Sequence, residues 1–200
     1  MTASFSSPAQ GIDRRQFVAA LLKAFPDALV VSGLGSPSYD VFAAGDRPGN
    51  FYLWGAMGGS TSLALGLAVA QPDRTVIAIT GDGEQLMGIG SLATAAAQHP
   101  NNLSVVILDN GHFGETGMQQ SHTSLGTNLA QVARAVGVPT TLEISDICEL
   151  DALVREIGKA DGMIVAQVRI STEEPQRALP SRDGVYVKNR FREHLGFAPF

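Results

Sequence analysis

Short apolar segments alternate along the chain with longer segments in which apolar residues recur at helical spacing. The apolar segments are rich in β-branched residues and predict buried strands over residues 28–33, 75–80, 103–108 and 162–168. The longer segments predict helices over residues 14–25, 60–70, 86–98, 128–136 and 146–159. Strands that are apolar on both faces are typical of parallel sheets. The pattern therefore predicts an α/β fold, a doubly wound and mainly parallel sheet with helices on both faces.

The same pattern divides the chain into three parts. Residues 1–26 amount to one helical segment, residues 27–170 carry the alternation of strands and helices, and residues 171–200 form a C-terminal arm. The arm has an excess of basic residues and apolar anchors at Val185, Tyr186, Val187, Phe191 and Leu195. These anchors favour an arm that packs on another subunit, and the alternative is a solvated surface tail.

The chain carries few charged residues for a soluble domain. Asp, Glu, Lys and Arg make up 16% of the 200 residues, against about 25% in a typical soluble domain. Glycine is enriched, with 22 residues, while the hydrophobic share of 44% is ordinary. We therefore expect an additional buried surface, such as an interface with another subunit.

Charge, cysteine content and hydropathy argue against several classes of protein. The net charge of −5 disfavours non-specific nucleic-acid binding, which depends on Lys and Arg. The single cysteine, Cys148, excludes an internal disulfide, and we expect it to be a buried, inert thiol. The uncharged stretches 48–72 and 85–108 contain amides and glycines that a membrane span lacks. Residues 1–16 show no signal-peptide pattern, so we expect a soluble cytoplasmic protein.

The candidate chemistry lies where predicted strands end. Segments 33–38, 81–85 and 109–112 each follow a strand and are rich in Gly, Ser, Asp and Asn. Ligands of open α/β sheets bind at the carboxyl ends of the strands. Gly81 and Gly83 allow the backbone to approach a ligand closely, and the helix that follows directs free N–H groups towards it. This arrangement favours a phosphate group.

A carboxylate in the same turn points to a metal ion. Asp82 would repel a phosphate unless a cation lay between them, so it is a candidate ligand of Mg²⁺ or Ca²⁺. Asn110 follows the next strand, and its amide oxygen is a second hard donor. Taken alone, each of these motifs is also a common turn signal.

The joint pattern resembles the diphosphate-binding signature of thiamine diphosphate enzymes, in which Gly-Asp-Gly precedes a helix, a strand and Asn-Asn. This chain has Gly81-Asp82-Gly83 followed by Asp109-Asn110, a variation at the first of the two asparagines. The resemblance implies a Mg²⁺ site formed by Asp82, the Asn110 side chain and the backbone oxygen of His112. It also implies that the cofactor's diphosphate is bound by the backbone N–H groups of Glu84 and Gln85.

A second segment resembles the Gly-x-Met-Gly element of the same family. In Gly55-Ala56-Met57-Gly58, the resemblance implies that the Gly55 carbonyl accepts a hydrogen bond from the aminopyrimidine. It implies that the Met57 side chain holds the cofactor bent, with its 4′-imino nitrogen close to the C2–H that it deprotonates. Ordinary core packing is the alternative for Met57. The loop that contains Gly35 and Ser36 is expected near the diphosphate.

The resemblance also implies a partner subunit. Thiamine diphosphate enzymes use a second domain that binds the pyrimidine and supplies an activating glutamate. This chain resembles the diphosphate domain from about residue 27 to residue 168, and residues 1–26 leave no room for the other domain before it. We therefore expect a β subunit that forms a hetero-oligomer with a pyrimidine-binding α subunit.

Segments 33–38, 109–119 and 121–123 resemble the sulfopyruvate and phosphonopyruvate decarboxylases. The implied reaction is non-oxidative decarboxylation of a small anionic 2-oxo acid to an aldehyde by a carbon–carbon lyase, with the thiazolium holding the electron pair. His112 and His122 flank the loop after the third predicted strand. Either could shuttle a proton or neutralise an acidic substrate, and the alternative is that both are ordinary loop histidines.

Other functions remain open from the sequence. A 2-oxo acid:ferredoxin oxidoreductase β subunit carries similar Gly-Asp-Gly elements, although one cysteine excludes a cluster within this chain. An acetolactate-synthase-like carboligase would use the same cofactor chemistry. A dinucleotide site is disfavoured because Gly33-x-Gly35-x-x-Ser38 lacks the third glycine. An inert regulatory or structural subunit is the alternative that is not an enzyme.

Overall fold

A computed structural model describes residues 11–198 and places six strands in one sheet. The order across the sheet is β2-β1-β3-β4-β8-β7, and every neighbouring pair is parallel. The strands span β1 (Leu29–Ser32), β2 (Asn50–Tyr52), β3 (Val76–Gly81), β4 (Leu103–Asp109), β7 (Thr140–Ile144) and β8 (Ile164–Arg169). The hairpin β5 (His112–Phe113) and β6 (Gln119–Gln120) lies outside this sheet.

The sequence predicted the four inner strands and missed the two edge strands. The inner strands are buried along nearly their whole length, so they are apolar on both faces. The edge strand β7 is mostly half-buried, and its sequence Thr-Thr-Leu-Glu-Ile lacks a continuous apolar run. The other edge strand, β2, has only three residues. Edge strands are solvated along one side, which weakens the apolar signal.

The described part of the chain has eight α-helices. They span α1 (Arg14–Ala24), α2 (Ser36–Ala43), α3 (Ser60–Ala70), α4 (Asp82–Met87), α5 (Gly90–Gln98), α6 (Leu129–Ala135), α7 (Leu150–Lys159) and α8 (Gly184–His194). The prediction of one helix over residues 86–98 was wrong, because the chain breaks between α4 and α5 at Gly88. A Cβ on Gly88 would lie 2.2 Å from the backbone oxygen of Gly58, so the break brings two backbones into contact.

Two apolar cores lie on opposite faces of the sheet. One contains α1, α2 and α7, with Phe17 and Leu153 fully buried. The other contains α3, α5, α6 and α8, with Leu92 and Leu129 fully buried. Helices therefore cover both faces, which confirms the predicted doubly wound α/β fold.

The two ends of the described chain pack on the same sheet. Helix α1 contributes to the first core, and α8 buries Val187 and Phe191 against this chain, with Phe191 in edge-to-face contact with Phe51. Val185 and Tyr186 of α8 are exposed. Docking of the arm on another subunit therefore stays a prediction that concerns these exposed positions.

Two further findings bear on the sequence predictions. Cys148 is exposed, so the prediction of a buried thiol was wrong. It lies in the 3₁₀ turn Ile147–Glu149 that precedes α7, rather than on the buried face of a helix. Among residues 11–198, the helices are too short or too polar to span a bilayer.

Candidate active site

A cavity of about 250 Å³ opens where β1, β3 and β4 end. The chain leaves β1 towards β2 on one side and returns to β3 on the other, which makes the crevice between β1 and β3 a topological switch point. Open α/β sheets bind ligands at such crevices. The position of the cavity thus follows from the strand order.

Most of the predicted site residues line this cavity. They are Ser36, Met57, Gly81, Asp82, Gly83, Glu84, Asn110 and His112. They come from four separate segments of the chain, which the parallel sheet brings to one edge. Glycine is needed at position 83, because a Cβ there would lie 2.6 Å from the ring of Phe113.

Four predicted residues do not line the cavity. Gly35 adjoins it as the N-cap of α2, with a φ of 75° that favours glycine. Gly55 is exposed on the loop before α3, also at a positive φ of 73°. The Gln85 side chain contacts Thr61 and Ser91 instead. His122 is exposed at the start of a 3₁₀ turn, so the structure does not bring it to the cavity with His112.

Asp82 is buried directly after β3, and hydroxyl groups donate hydrogen bonds to its carboxylate. Ser121 Oγ donates a hydrogen bond to Asp82 Oδ2, and Thr123 Oγ1 lies 3.2 Å from the same oxygen. Burial raises the pKa of Asp82, the neighbouring Asp109 carboxylate raises it further, and the two hydroxyls oppose the shift. A buried carboxylate with this environment is favourable for binding a cation.

Asp109 at the end of β4 has a different set of partners. Arg169 Nη1 lies 2.6 Å from Asp109 Oδ2, and Gln167 Nε2 donates to the same oxygen at 2.5 Å. Thr123 Oγ1 and the Gly111 N–H donate to Oδ1 at 2.7 and 2.9 Å. The aspartate that replaces the family's first asparagine is therefore neutralised by an arginine of the adjacent strand.

The segment after Asp109 curls at the edge of the cavity. The Asn110 side-chain oxygen accepts the His112 N–H at 3.0 Å, and His112 Nδ1 lies 2.8 Å from the Asn110 backbone oxygen. Residues 11–198 contain no cluster of three or more His, Cys, Asp and Glu side chains that could hold a metal. The candidate donors are instead a carboxylate, an amide oxygen and a backbone oxygen, which is a hard oxygen set that fits Mg²⁺.

Several contacts of the site were not predicted from the sequence, although segment 121–123 was singled out by its resemblance to the sulfopyruvate and phosphonopyruvate decarboxylases. Arg14, at the start of α1, is buried and lines both this cavity and an adjoining polar cavity of about 210 Å³. Its Nε lies 2.5 Å from Asp40 Oδ2. Ser121 and Thr123 hold Asp82 across 39 and 41 residues of chain. Contacts over such separations leave no local pattern that could have predicted them.

The chain belongs to a family of thiamine diphosphate enzymes. The family model described as "Thiamine pyrophosphate enzyme, C-terminal TPP binding domain" matches residues 38–168, which include the Gly81-Asp82-Gly83 turn and Asn110. In the solved structure of the thiamine diphosphate-dependent 4-hydroxybenzoylformate decarboxylase of Rhodococcus jostii RHA1, a similar fold covers 87% of this chain and 36% of that one. Its TM-score is 0.70 at 24% identity. The predicted family and fold are confirmed.

Within this family the chain is a homologue of sulfopyruvate decarboxylase β subunits and phosphonopyruvate decarboxylases. The Methanocaldococcus jannaschii sulfopyruvate decarboxylase subunit beta is 44% identical over 56% of this chain and 59% of its own length. The Methanothermobacter thermautotrophicus subunit beta is 33% identical over 90% of this chain and 94% of its own. Phosphonopyruvate decarboxylase of Streptomyces viridochromogenes is 36% identical over 83% of this chain and 42% of its own length.

Proposed function

We propose that this chain is the cofactor-binding β subunit of a split, thiamine diphosphate-dependent decarboxylase of a small anionic 2-oxo acid. One observation carries the proposal: the cavity at the switch point is lined by Asp82, Asn110, His112 and Met57 together. The homology to sulfopyruvate and phosphonopyruvate decarboxylases supports the reaction class. The products would be an aldehyde and CO₂.

The residues at the ends of β3 and β4 are assigned to the cation and the diphosphate. Asp82, the Asn110 side chain and the His112 backbone oxygen would hold Mg²⁺, and the burial of Asp82 beside Asp109 supports this assignment. The backbone N–H groups of Glu84 and Gln85 would donate hydrogen bonds to the diphosphate. They are available because the N–H groups in the first turn of a helix have no partner within the helix.

Other residues are assigned to the aminopyrimidine end of the cofactor. The Gly55 carbonyl would accept a hydrogen bond from the aminopyrimidine, and the Met57 side chain would support the bent cofactor from the cavity wall. When bound, thiamine diphosphate would supply a thiazolium that accepts the electron pair released as CO₂ leaves. The His112 ring lines the cavity and could hold a proton there, whereas His122 is exposed and is assigned no contact with the substrate.

A partner subunit completes the proposal. The names of the curated subunit beta relatives imply an α partner, and we propose that it binds the pyrimidine and supplies the activating glutamate. The proposed holoenzyme is a cytoplasmic α/β hetero-oligomer. The homology to sulfopyruvate and phosphonopyruvate decarboxylases supports an anionic substrate with a sulfonate or phosphonate group.

The product of the reaction tests the proposal against its nearest alternatives. The chain, combined with its α partner, thiamine diphosphate and Mg²⁺, should convert sulfopyruvate or phosphonopyruvate to an aldehyde and CO₂ without an electron acceptor. Acyl-coenzyme A formed only with an acceptor would identify a 2-oxo acid oxidoreductase. A hydroxy-oxo acid product would identify a carboligase. A complex that turns over no 2-oxo acid would support an inert subunit.

A further inference from the structure

Helix α4 connects the two parts of the candidate cofactor site. It begins at Asp82, in the turn assigned to the diphosphate, and ends at Met87 beside residues 55–59, the loop assigned to the aminopyrimidine. We call residues 55–59 the pyrimidine loop. The question is what fixes this loop, since Gly55, Gly58 and Gly59 give it little intrinsic stiffness.

Two side chains of α4 accept hydrogen bonds from the first turn of α3, the helix that follows the loop. Glu84 Oε1 accepts the backbone N–H of Ser60 at 3.3 Å, and Glu84 Oε2 accepts the Thr80 hydroxyl at 3.0 Å. Gln85 Oε1 accepts the Thr61 hydroxyl at 2.7 Å. Glu84 therefore joins the end of β3 to the first turn of α3, and Gln85 adds a second contact between α4 and that turn.

The Glu84 carboxylate replaces a missing helix cap. Helix α3 has Gly59 at its N-cap, which offers no side chain to the free N–H groups of the first turn. Glu84 accepts one of these N–H groups, that of Ser60. A carboxylate at a helix N-terminus is favoured by the helix dipole as well.

Glu84 is almost fully buried and packs directly against the backbone. Only 4% of Glu84 is exposed, and a Cβ on Gly33 would lie 1.6 Å from its Oε2, so the carboxylate rests directly on the backbone after β1. No salt bridge to Glu84 occurs within residues 11–198. A buried carboxylate whose described partners are an N-terminal helix turn and a hydroxyl is costly unless those contacts are made.

We propose that Glu84 is a positioning residue that clamps the pyrimidine loop to the diphosphate-binding turn through α4. The proposal rests on the assignment of both segments to thiamine diphosphate. It predicts that the loop is held in place before any ligand binds. It also predicts that losing the clamp impairs recognition of the aminopyrimidine while recognition of the diphosphate survives.

The first test needs no cofactor. Hydrogen exchange of the full-length chain is followed by mass spectrometry in Glu84→Ala, Glu84→Gln and the control Glu115→Ala, which removes another carboxylate from the same cavity. Peptides covering residues 55–63 should exchange about tenfold faster in Glu84→Ala. They should be unchanged in the control and largely rescued in Glu84→Gln, whose amide oxygen can still accept the N–H groups. Unchanged exchange in Glu84→Ala would overturn the clamp.

The second test separates the clamp from a general loss of structure. Calorimetry measures binding of inorganic diphosphate and of thiamine diphosphate, each with Mg²⁺, to the chain in complex with its partner subunit. Glu84→Ala should weaken thiamine diphosphate binding by about tenfold or more, with little change for inorganic diphosphate. Glu84→Gln should restore most of the affinity. Equal loss for both ligands, or loss for neither, would contradict the positioning role.

The two proposals fail in different ways. If the wild-type complex binds neither ligand with Mg²⁺, the proposed function is wrong and the exchange experiment alone decides whether Glu84 clamps the loop. If the wild type binds both ligands and the variants show no selective loss, the function stands and the clamp is wrong.

Discussion

Two buried carboxylates stand at the ends of neighbouring strands, and they differ in what offsets their charge. Asp109 at the end of β4 is paired with Arg169 and also accepts from Gln167, Thr123 and a backbone N–H. Asp82 follows β3 one strand away, and the contacts described for its side chain come from hydroxyl groups. The same residue type thus serves two purposes: Asp109 is already neutralised by protein, whereas Asp82 is poised for a cation.

Thr123 is a neighbour of both carboxylates and shows the same difference between them. Thr123 Oγ1 lies within hydrogen-bond distance of both Asp82 and Asp109, but a hydroxyl has one proton to donate. Because Asp109 has stronger donors nearby, its charge is satisfied without metal. Burial raises the pKa of Asp82, and the side-chain contacts described for it come from hydroxyl groups rather than from a cation.

The largest expected effect is on cofactor binding. Asp82→Ala should weaken Mg²⁺-dependent binding of thiamine diphosphate by about 100-fold or more, because it removes a metal ligand. Asp109→Asn should change this affinity less than about threefold, since an asparagine retains acceptor capacity and matches the family's usual residue. Calorimetric titration of both variants measures the difference, with circular dichroism as the control for folding. Equal losses of affinity in the two variants would show that Asp82 and Asp109 do not differ in their contribution to metal-dependent cofactor binding.

For the free energy of unfolding we expect the opposite order, with a larger loss on substituting Asp109 than on substituting Asp82. Asp109→Ala should lower the free energy of unfolding by about 2–3 kcal/mol, because Arg169, Gln167 and Thr123 lose their shared acceptor. Urea unfolding of the metal-free chain provides the measurement. A loss smaller than that of Asp82→Ala would show that Asp109 is not the structural member of the pair.

A smaller gain is expected from neutralising Asp82. Because burial raises the pKa of Asp82, its contribution to stability is present at low pH and is lost as the pH rises through the raised value. At pH 7 and without metal, Asp82→Asn should therefore be more stable than the wild type, because the amide places no charge in the buried site. Thermal unfolding from pH 4 to pH 8 tests this, and Mg²⁺ should stabilise the wild type but not the variant. A metal-free variant less stable than the wild type would contradict the account.

The smallest effect is expected at Arg169. This side chain is 44% exposed, so water screens its ion pair with Asp109. Arg169→Met should cost at most about 0.5–1 kcal/mol. Chemical denaturation at low and high salt measures it, with a smaller difference expected at high salt. A loss as large as that of Asp109→Ala would mean that the arginine alone neutralises the carboxylate.

The surroundings of Asp82 show which parts of the site could be predicted from the sequence and which could not. Asp82 and Asn110 were predicted as a site because each follows a buried strand in a recognisable motif. The inner strands were predicted for the same local reason, since they are apolar at consecutive positions. The partners of Asp82 could not be found, because Ser121 and Thr123 meet it only through the fold.

Other parts of the structure were equally hidden from local patterns. The edge strand β7 is mostly half-buried, so its apolar signal is weak. The break after α4 depends on contact between Gly88 and Gly58, which are far apart in sequence. His122 was grouped with His112 on sequence proximity, yet the turn between them leaves it exposed. In each case the outcome depends on where the fold places the segment, which a local sequence pattern does not encode.

The most direct test of the central claim is the metal dependence of cofactor binding. The chain, in complex with its partner subunit, is titrated with thiamine diphosphate in excess Mg²⁺ and again in excess chelator. We expect saturable binding with Mg²⁺ and a loss of about 100-fold or more in affinity without it, with Asp82→Ala showing the weak binding in both conditions. Equally tight binding with and without the metal would contradict the assignment of Asp82 as the cation's ligand.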